Sequence, residues 1–287
     1  MIVPDRIDEF ESLFKSSDKP LMVYDRVAIR SVMVVTDLGR AESDQVTASA
    51  RRFLSSIEED GPTWETVLGD GYRTVDDLLG LVSTKRPDLI VAHRNLHDAD
   101  RHPKLSLGTY LDELTQHTQV PVLVLPNDDA GRPLEPPAVS RSVMVVTDHL
   151  TGDGKLIAYG ARLTAPDGTL VLAHIENDAT FSRYMQAIEK IPEIVTETAR
   201  ALLREQLLKE PREYIKSCSV VLKEAGHSIR IEPVVEFGHG VKDYLRLHAE
   251  HTVDLIVYRV RDDMQIAMSG MAYLMAMEFT RTPLLLL

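Results

Sequence analysis

Two aspartates, Asp37 and Asp148, each end a copy of the same octapeptide, Arg-Ser-Val-Met-Val-Val-Thr-Asp, and they are the residues best placed to do chemistry. Each copy is a short apolar run that ends in polar residues, which is typical of a buried parallel strand. Parallel α/β sheets place their ligand sites at the carboxyl ends of the strands. We therefore expect each carboxylate either to contact a ligand there or to cap the turn or helix that follows.

The sequence does not predict catalysis at these aspartates. No partner base is visible beside either one, and the chain has no recognisable Ser-His-Asp set, nucleophile elbow or HExxH motif. His93, His97 and His102 share one loop, but their spacing fits no established pattern of metal ligands and no cysteine accompanies them. A polar surface loop is therefore favoured over a metal site.

Two further segments carry residues that could bind something. Arg259 and Arg261 could hold an anion, or they could pair with Asp262 and Asp263 on a solvated loop. The methionine-rich stretch at residues 264–277 is more typical of core or interface packing than of a cofactor site.

Composition narrows the class of protein. The chain has 287 residues, of which 44% are hydrophobic and 26% charged, so it is long enough for two domains that each bury a core. The net charge of -12 argues against partners such as nucleic acid or an anionic membrane. Cys218 is the single cysteine and is expected to be a buried, unreactive side chain. Without a disulfide, a secretory signal or a membrane-length apolar run, a cytoplasmic protein is expected.

The identical octapeptides at residues 30–37 and 141–148 indicate an internal duplication. In the second repeat, strands are predicted at residues 143–147, 169–175, 228–235, 254–258 and 283–287, and helices at residues 154–163, 182–225, 241–251 and 272–279. Pro192 and Pro211 interrupt the long helical stretch, and each suits the first turn of a new helix. Strict alternation of strands and helices predicts a parallel, doubly wound sheet.

The first repeat matches the second at both ends but is shorter in the middle. Residues 87–93 correspond to residues 253–259, and residues 120–126 correspond to residues 282–287. The second strand and the long helical stretch have no counterpart there. After a helix around residues 44–58, the strand at residues 63–68 is interpreted as the counterpart of the third strand. Residues 21–24 are a candidate for the vacant strand position.

This organisation predicts four segments. They are an N-terminal extension (1–27), a shortened first domain (28–126), a linker rich in proline and acidic residues (127–139) and a second domain (140–287). The apolar runs at residues 122–125 and 284–287 would be exposed edges if unpaired, so we expect them to pair antiparallel about a pseudo-twofold axis.

The ordered set of strands, helices and glycines, occurring twice, resembles the universal stress protein family in its tandem form. The resemblance covers about residues 28–126 and 140–287. It implies the α/β fold shared with adenine nucleotide alpha hydrolases: two tandem doubly wound, parallel-sheet domains. In that family the sheets pair through their last strands, either between chains or between tandem domains.

Many members of that family bind ATP, and the resemblance implies which positions would do so here. The acid after the first strand, which meets the adenosine end, corresponds to Asp37 and Asp148. The backbone that meets adenine corresponds to Ile175, beside His174. The Gly-small pair that follows the phosphate loop corresponds to Gly108-Thr109 and to Gly270-Met271. The implied nucleotide-binding positions are Asp37, Gly108, Thr109, Asp148, Ile175 and Gly270.

The phosphate loop of the family, Gly-x-x-Gly, is not kept in either repeat. His93 and Leu96 stand at its glycine positions in the first repeat, and Arg259 and Asp262 stand there in the second. Glycines let backbone N–H groups approach phosphate, whereas Leu96 adds bulk and the Asp262 carboxylate repels phosphate. No cofactor is therefore the leading expectation, with ATP or AMP as the alternative.

Three hypotheses of function follow. The leading one is a non-catalytic protein of the universal stress type, in stress response or regulation, with degenerate nucleotide sites. The second is an ATP- or AMP-binding sensor with slow or no hydrolysis. The third is an interaction module for a transporter or kinase that uses residues 182–225. A homodimer or a protein partner remains open in all three, whereas insertion into a membrane is not expected.

Overall fold

The computed structural model describes residues 21–98, 106–128, 131–146, 153–260 and 268–287. Within them the strands are β1 (Ser31–Val35), β2 (Thr63–Val67), β3 (Leu89–His93), β4 (Val122–Leu125), β5 (Ser142–Val146), β6 (Thr169–Asn177), β7 (Arg230–Gly238), β8 (Leu255–Tyr258) and β9 (Leu284–Leu286). The α-helices are α1 (Arg40–Phe53), α2 (Val75–Lys85), α3 (Thr109–His117), α4 (Gly154–Leu163), α5 (Asp178–Ile188), α6 (Thr196–Glu224), α7 (Val241–Glu250) and α8 (Gly270–Glu278).

All of these strands belong to one sheet, in the order β2-β1-β3-β4-β9-β8-β5-β6-β7. Neighbouring strands are parallel except β4 and β9, which run antiparallel with Val122 opposite Leu286 and Val124 opposite Leu284. The predicted antiparallel pairing of the two apolar runs is therefore confirmed. It joins the strands of the first repeat to those of the second without an exposed edge between them.

Helices cover both faces of the sheet, as a doubly wound fold requires. Alternate strand residues point to opposite faces, so Met33 and Val35 join one core while Val32 and Val34 join the other. Helices α2, α3, α7 and α8 pack on the first face, and α1, α4 and α6 pack on the second. The fold is the mostly parallel α/β architecture predicted from the sequence.

The two copies of the octapeptide are held by the same kind of hydrogen bonds, which an aspartate carboxylate accepts. The Asp88 carboxylate, just before β3, accepts hydrogen bonds from the backbone N–H groups of Arg30 and Ser31 at 2.9 and 3.0 Å. The Asp254 carboxylate, just before β8, accepts from the first two residues of the second copy, both at 2.9 Å. Each aspartate therefore fixes the start of one strand against its parallel neighbour.

The position of β2 differs from the sequence-based interpretation. Residues 63–68 were expected to match the third strand of the second repeat, yet β2 pairs directly with β1. In the second half, the strand that pairs with β5 in this way is β6, and β7 lies outside it. The connection through α1 and a short 3₁₀ turn, Ser55–Asp60, carries the chain only to the adjacent position. The strand without a counterpart is therefore the edge strand.

Residues 21–24 do not form a strand. Met22 is buried, and its backbone N–H donates to the Ser217 hydroxyl on α6 at 3.2 Å. The Tyr24 hydroxyl lies 2.7 Å from Nε2 of His227. This segment therefore packs on the second half of the chain and does not itself fill the vacant strand position.

Pro211 lies inside α6 and does not begin a new helix as expected. A proline removes one backbone hydrogen bond, which normally bends or ends a helix. Here Tyr214, Ile215 and Cys218 are buried against the sheet, and this packing keeps the 29-residue helix continuous. Pro192 lies in the connection between α5 and α6, before the first turn of α6.

Candidate functional site

Asp37 follows β1 at the edge of the sheet where the strands of the first half end, and its carboxylate is engaged on both oxygens. Oδ2 accepts a hydrogen bond from the backbone N–H of His97 at 2.7 Å. Oδ1 lies 2.9 Å from Nε2 of His93, the last residue of β3. That distance suits a hydrogen bond, but the two atoms are not aligned for one, so we treat the contact as mainly electrostatic. Thus Asp37 contacts its own chain where the resemblance implied a ligand.

The local environment favours the ionised form of Asp37. Burial by itself raises the pKa of this carboxyl, but the contact with His93 and the N–H of His97 together hold the pKa below its usual value. The His93 ring faces two acceptors, because Nδ1 lies 3.0 Å from the carbonyl oxygen of Arg94. Both ring nitrogens therefore contact groups of the protein.

An aromatic cluster of Tyr72, His97 and Tyr110 borders Asp37. The ring centroids of Tyr72 and His97 are 4.8 Å apart, and those of His97 and Tyr110 are 5.3 Å apart. The Tyr72 hydroxyl donates to the carbonyl oxygen of Thr36 at 3.2 Å. Burial, followed by the charge of Asp37, raises the pKa of Tyr72. The two tyrosine rings are therefore buried, and the exposed His97 ring packs between them.

The chain after β2 also closes on Asp37. A Cβ atom placed on Gly69 would lie 2.9 Å from the Asp37 Cα, so only glycine allows this approach. The space beside Asp37 is thus bounded by backbone on one side and by aromatic rings on another. The side chain of Asp37 retains an exposed fraction of 18%.

Gly108 and Thr109 lie at the start of α3, next to the loop that follows β3. Gly108 has a φ of 96°, and a Cβ there would lie 2.7 Å from the Cα of Asn95. The backbone N–H of Asn95 donates to the carbonyl oxygen of Leu107 at 2.8 Å, which holds the two loops together. The glycine is therefore needed for loop packing, a structural role that does not require a phosphate.

The amino terminus of α3 binds a carboxylate of the chain itself. The backbone N–H of Thr109 donates to Oδ2 of Asp98 at 3.1 Å. Helix amino termini favour anions because their first N–H groups lack helical partners. Leu96 and Leu107, at 0% and 1% exposure, fill the adjoining space. Asp98 therefore occupies a position at which a phosphate would be expected from the resemblance.

In the second half, Ile175 lies near the end of β6 and faces the glycine-containing turn after β7. A Cβ on Gly238 would lie 2.9 Å from Cγ2 of Ile175, so these two positions are in close contact. The side chain of Met271 reaches the same edge, because its Cε would lie 3.1 Å from a Cβ on Gly240. The structure therefore brings Ile175 to the start of α7 and the start of α8.

Gly270 is the first residue of α8, and the described residues around it do not require a glycine. A Cβ placed on it would meet none of their atoms within 4 Å. The preceding residue, Ser269, caps the helix by accepting a hydrogen bond from the N–H of Ala272 at 3.1 Å. Asp148, the other implied position in this half, lies outside the described residues, as do residues 261–263.

Arg259, at the position matching His93, pairs with Asp153. Its Nη2 and Nε atoms lie 2.7 and 3.1 Å from the two carboxylate oxygens, a bidentate contact. Asp153 also caps α4 by accepting from the N–H of Leu156 at 3.2 Å. Asp153 thus supplies a carboxylate for Arg259, whereas Arg261, Asp262 and Asp263, the other residues of that expectation, lie outside the described residues.

Three findings concern metals and membranes. Across residues 21–98, 106–128, 131–146, 153–260 and 268–287, no group of three or more His, Cys, Asp or Glu side chains is arranged to hold a metal ion. His93 faces Asp37 and His97 packs between two tyrosines, whereas His102 lies outside the described residues. None of the helices in the described parts of the chain has the length and apolar character that crossing a membrane requires.

The sequence indicated some of these residues and missed others. Asp37, Gly108 and Thr109 were predicted and do lie on the same side of the first half. Asp98 was missed, although an acidic residue in the loop before a glycine-led helix is a usable signal for an anion at the helix start. Tyr72 left no local signal because its contact with Asp37 depends on the tertiary fold.

The fold is a doubly wound α/β fold of the kind found in universal stress proteins. A functionally unknown protein from Pseudomonas aeruginosa is similar, with a TM-score of 0.50 and 14% identity over 91% of this chain and 92% of its own. A candidate universal stress protein from the same species has a TM-score of 0.51 and 15% identity over 91% and 93%. No protein-family model and no curated protein sequence matches the chain. At these identities, the likeness shows a common fold.

Proposed function

We propose that this chain is a non-catalytic protein of the universal stress type that acts in stress response or regulation with degenerate nucleotide sites. The observation that carries this proposal is the hydrogen bond from the Thr109 N–H to the Asp98 carboxylate at 3.1 Å. A nucleotide phosphate at that helix start would have to displace a carboxylate of the same charge. The buried side chains of Leu96 and Leu107 oppose such a displacement, because they would become exposed.

The proposal includes a tandem organisation with a shortened first repeat. Its domains are residues 28–126 and 140–287, with an extension at 1–27 and a linker at 127–139. The Asp88 and Asp254 carboxylates accept matching hydrogen bonds at the starts of β1 and β5, and this match supports the duplication. Four strands from the first repeat and five from the second, counted within the described residues, support the shortening. In this organisation the β4–β9 pair takes the place of pairing between two chains.

The absence of catalysis is also part of the proposal. Asp37 and His93 are adjacent, as they would be in a charge pair that activates a nucleophile. However, the other ring nitrogen of His93 lies 3.0 Å from the carbonyl oxygen of Arg94, which cannot act as a nucleophile. The pair is therefore better suited to holding the loop after β3 against β1.

We also place the protein in the cytoplasm, without nucleic acid as a partner. The single cysteine, Cys218, is a free thiol, and burial raises its pKa to about 12, so it is poorly suited to redox chemistry. The net charge of -12 opposes binding to phosphate backbones.

The second candidate function is an ATP- or AMP-binding sensor that uses the second half. The edge formed by Ile175, Gly238 and Gly240 favours it, because glycines there allow the backbone to approach a ligand. Gly270 favours it as well, because no atom of the described residues would lie within 4 Å of a Cβ placed there. Met271, which reaches over Gly240, opposes it by covering part of this edge.

The third candidate is an interaction module for a transporter or kinase. Helices α5 and α6 have no counterpart in the first half and expose apolar side chains. Among them, Tyr184, Val195 and Leu202 are 55%, 69% and 47% exposed. Large apolar side chains at these levels of exposure favour contact with another protein.

Binding of nucleotide separates the first two candidates. Equilibrium dialysis with radiolabelled ATP and AMP should show no retention by the wild-type chain, and release of inorganic phosphate should equal the blank. Retention that is lost in Asp148→Ala would favour the sensor. Co-purification of one partner with the wild-type chain, lost in a Val195→Asp/Leu202→Asp variant, would favour the interaction module.

A further inference from the structure

Arg94 is a fully buried cation that forms no ion pair within the described residues. Its exposure is 1%, and it lies directly after β3. Nη2 donates to the carbonyl oxygen of Phe279 at 3.1 Å, at the carboxyl end of α8. Nε and Nη1 have no hydrogen-bond partner in the described parts of the chain. One carbonyl oxygen thus accounts for only part of the donor capacity of the guanidinium.

Tyr258 brings a second unpartnered donor to the same side of the sheet. It ends β8, is 2% exposed, and its hydroxyl has no hydrogen-bond partner among the described residues. Tyr258 and Phe279 belong to the same core cluster as Ala272 and Met275 of α8, on the face of the sheet that this helix covers. Burial raises the pKa of Tyr258 while the charge of Arg94 acts to lower it, which places the two groups within electrostatic range of each other.

The charge of Arg94 is retained at neutral pH. Burial lowers the pKa of this guanidinium to about 10, and the fields of Tyr258 and Asp112 oppose that change. Asp112 does not form an ion pair with Arg94 within the described residues, and burial raises the pKa of Asp112. A buried positive charge without a paired negative charge is strongly disfavoured in a protein interior.

Arg94 and Tyr258 are not matched by polar residues at the corresponding positions of the other repeat. Arg94 follows the position that matches Arg259, so its counterpart is Val260, and the counterpart of Tyr258 is Ala92. The pseudo-symmetric partners are therefore apolar, and the polar pair occurs on one side only. The backbone of Arg94 is also held in place, because Nδ2 of Asn127 donates to its carbonyl oxygen at 2.8 Å.

We propose that Arg94 and Tyr258 together bind a small monovalent anion of the chloride type inside the protein, between the two groups of strands. A monovalent anion balances the single charge of the guanidinium, whereas a divalent anion such as phosphate would leave surplus negative charge buried. A water molecule would satisfy the donors but would leave the charge unbalanced. This site is independent of the proposed function.

The first test is thermal unfolding at constant ionic strength, with gluconate replaced stepwise by chloride or bromide. An anion bound only by the folded chain raises the Tm of the wild type, by about 2–5 °C near saturation. Arg94→Met should lose this dependence, Tyr258→Phe should weaken it, and the exposed-residue control Arg230→Met should retain it. A flat wild-type response, or an equal response in Arg94→Met, would overturn the proposal.

The second test does not require the Arg94 variant to fold. Crystals of the wild-type chain are grown in bromide, and anomalous scattering is measured at the bromine edge. The expected result is a peak in contact with the Arg94 guanidinium and the Tyr258 hydroxyl. A refined water molecule there, without anomalous signal, would also overturn the proposal.

Discussion

The carboxylate of Asp98 accepts a hydrogen bond from the backbone N–H of Thr109, and it thereby brings a negative charge of the chain itself to the start of α3. Helix starts of this kind favour anions. Leu96, from the same loop as Asp98, is fully buried. The loop after β3 thus supplies both the carboxylate and the buried leucine that occupy the space at the start of α3.

Gly108→Ala should destabilise the fold. Its φ of 96° is unfavourable for a side chain, and the new Cβ would lie 2.7 Å from the Cα of Asn95. We expect a loss of about 1–3 kcal/mol in the free energy of unfolding, measured with urea. The control is Gly80→Ala, in the exposed middle of α2, which should be neutral or stabilise by up to about 1 kcal/mol. Equal stability of the two variants would argue against the loop packing described.

Asp60→Asn should be costly because it breaks a buried ion pair. The carboxylate of Asp60 lies 2.7 Å from Nη2 of Arg162 on α4, and both side chains are 6% exposed. The change leaves Arg162 only the exposed Glu59 carboxylate, 3.2 Å from its Nη1, so the free energy of unfolding should fall by up to about 3–5 kcal/mol. Glu135→Gln removes the exposed partner of Arg52 and should cost less than about 1 kcal/mol. Similar losses in both variants would contradict a buried link between the halves.

The same carboxylate predicts a pH dependence of stability. Burial by itself raises the pKa of Asp60, but the contact with Arg162 and the N–H of Ile29 hold it below the usual value. A lowered folded-state pKa stabilises the fold above the unfolded-state pKa of about 3.9, and this contribution is lost as the pH falls through the folded-state pKa. The wild-type chain should therefore lose more stability than Asp60→Asn between pH values of about 5 and 3. Parallel acid titration curves would exclude this contribution.

Leu285→Ala should weaken the junction between the two groups of strands. Leu285 is fully buried and lies opposite Leu123 in the antiparallel pair. Truncating a buried leucine usually costs about 2–5 kcal/mol, so we expect a clear fall in Tm by calorimetry. Leu274→Ala, at a half-exposed position on α8, should change Tm little. If the pairing of β4 with β9 did not stabilise the fold, the two variants would have the same Tm.

The strands and most helices could be predicted because their signals are local. Runs such as residues 89–92 are apolar throughout, as strands covered on both faces must be. Helix α4 was predicted with its observed bounds, Gly154–Leu163. Pro211 was misjudged because burial of the face carrying Tyr214 and Cys218 outweighs the local preference of proline.

The candidate site was predictable only in part. The octapeptide repeat pointed to Asp37, and Gly108-Thr109 carried the family pattern. The contacts of Asp37 with His93 and His97 depend on how the loop after β3 folds back. The match of residues 63–68 to the third strand was wrong for a related reason: the spacing of the octapeptides predicts a shorter first repeat, but the position of β2 is determined by its pairing with β1.

Isothermal titration of MgATP into the wild-type chain tests the central claim most directly. If Asp98 and the buried Leu96 close the nucleotide position of the first half, the titration should show no binding heat beyond dilution up to millimolar ligand. An Asp98→Gly/Leu96→Gly variant, which restores backbone access to the start of α3, should bind more strongly than the wild type. A micromolar Kd for the wild-type chain would contradict the account.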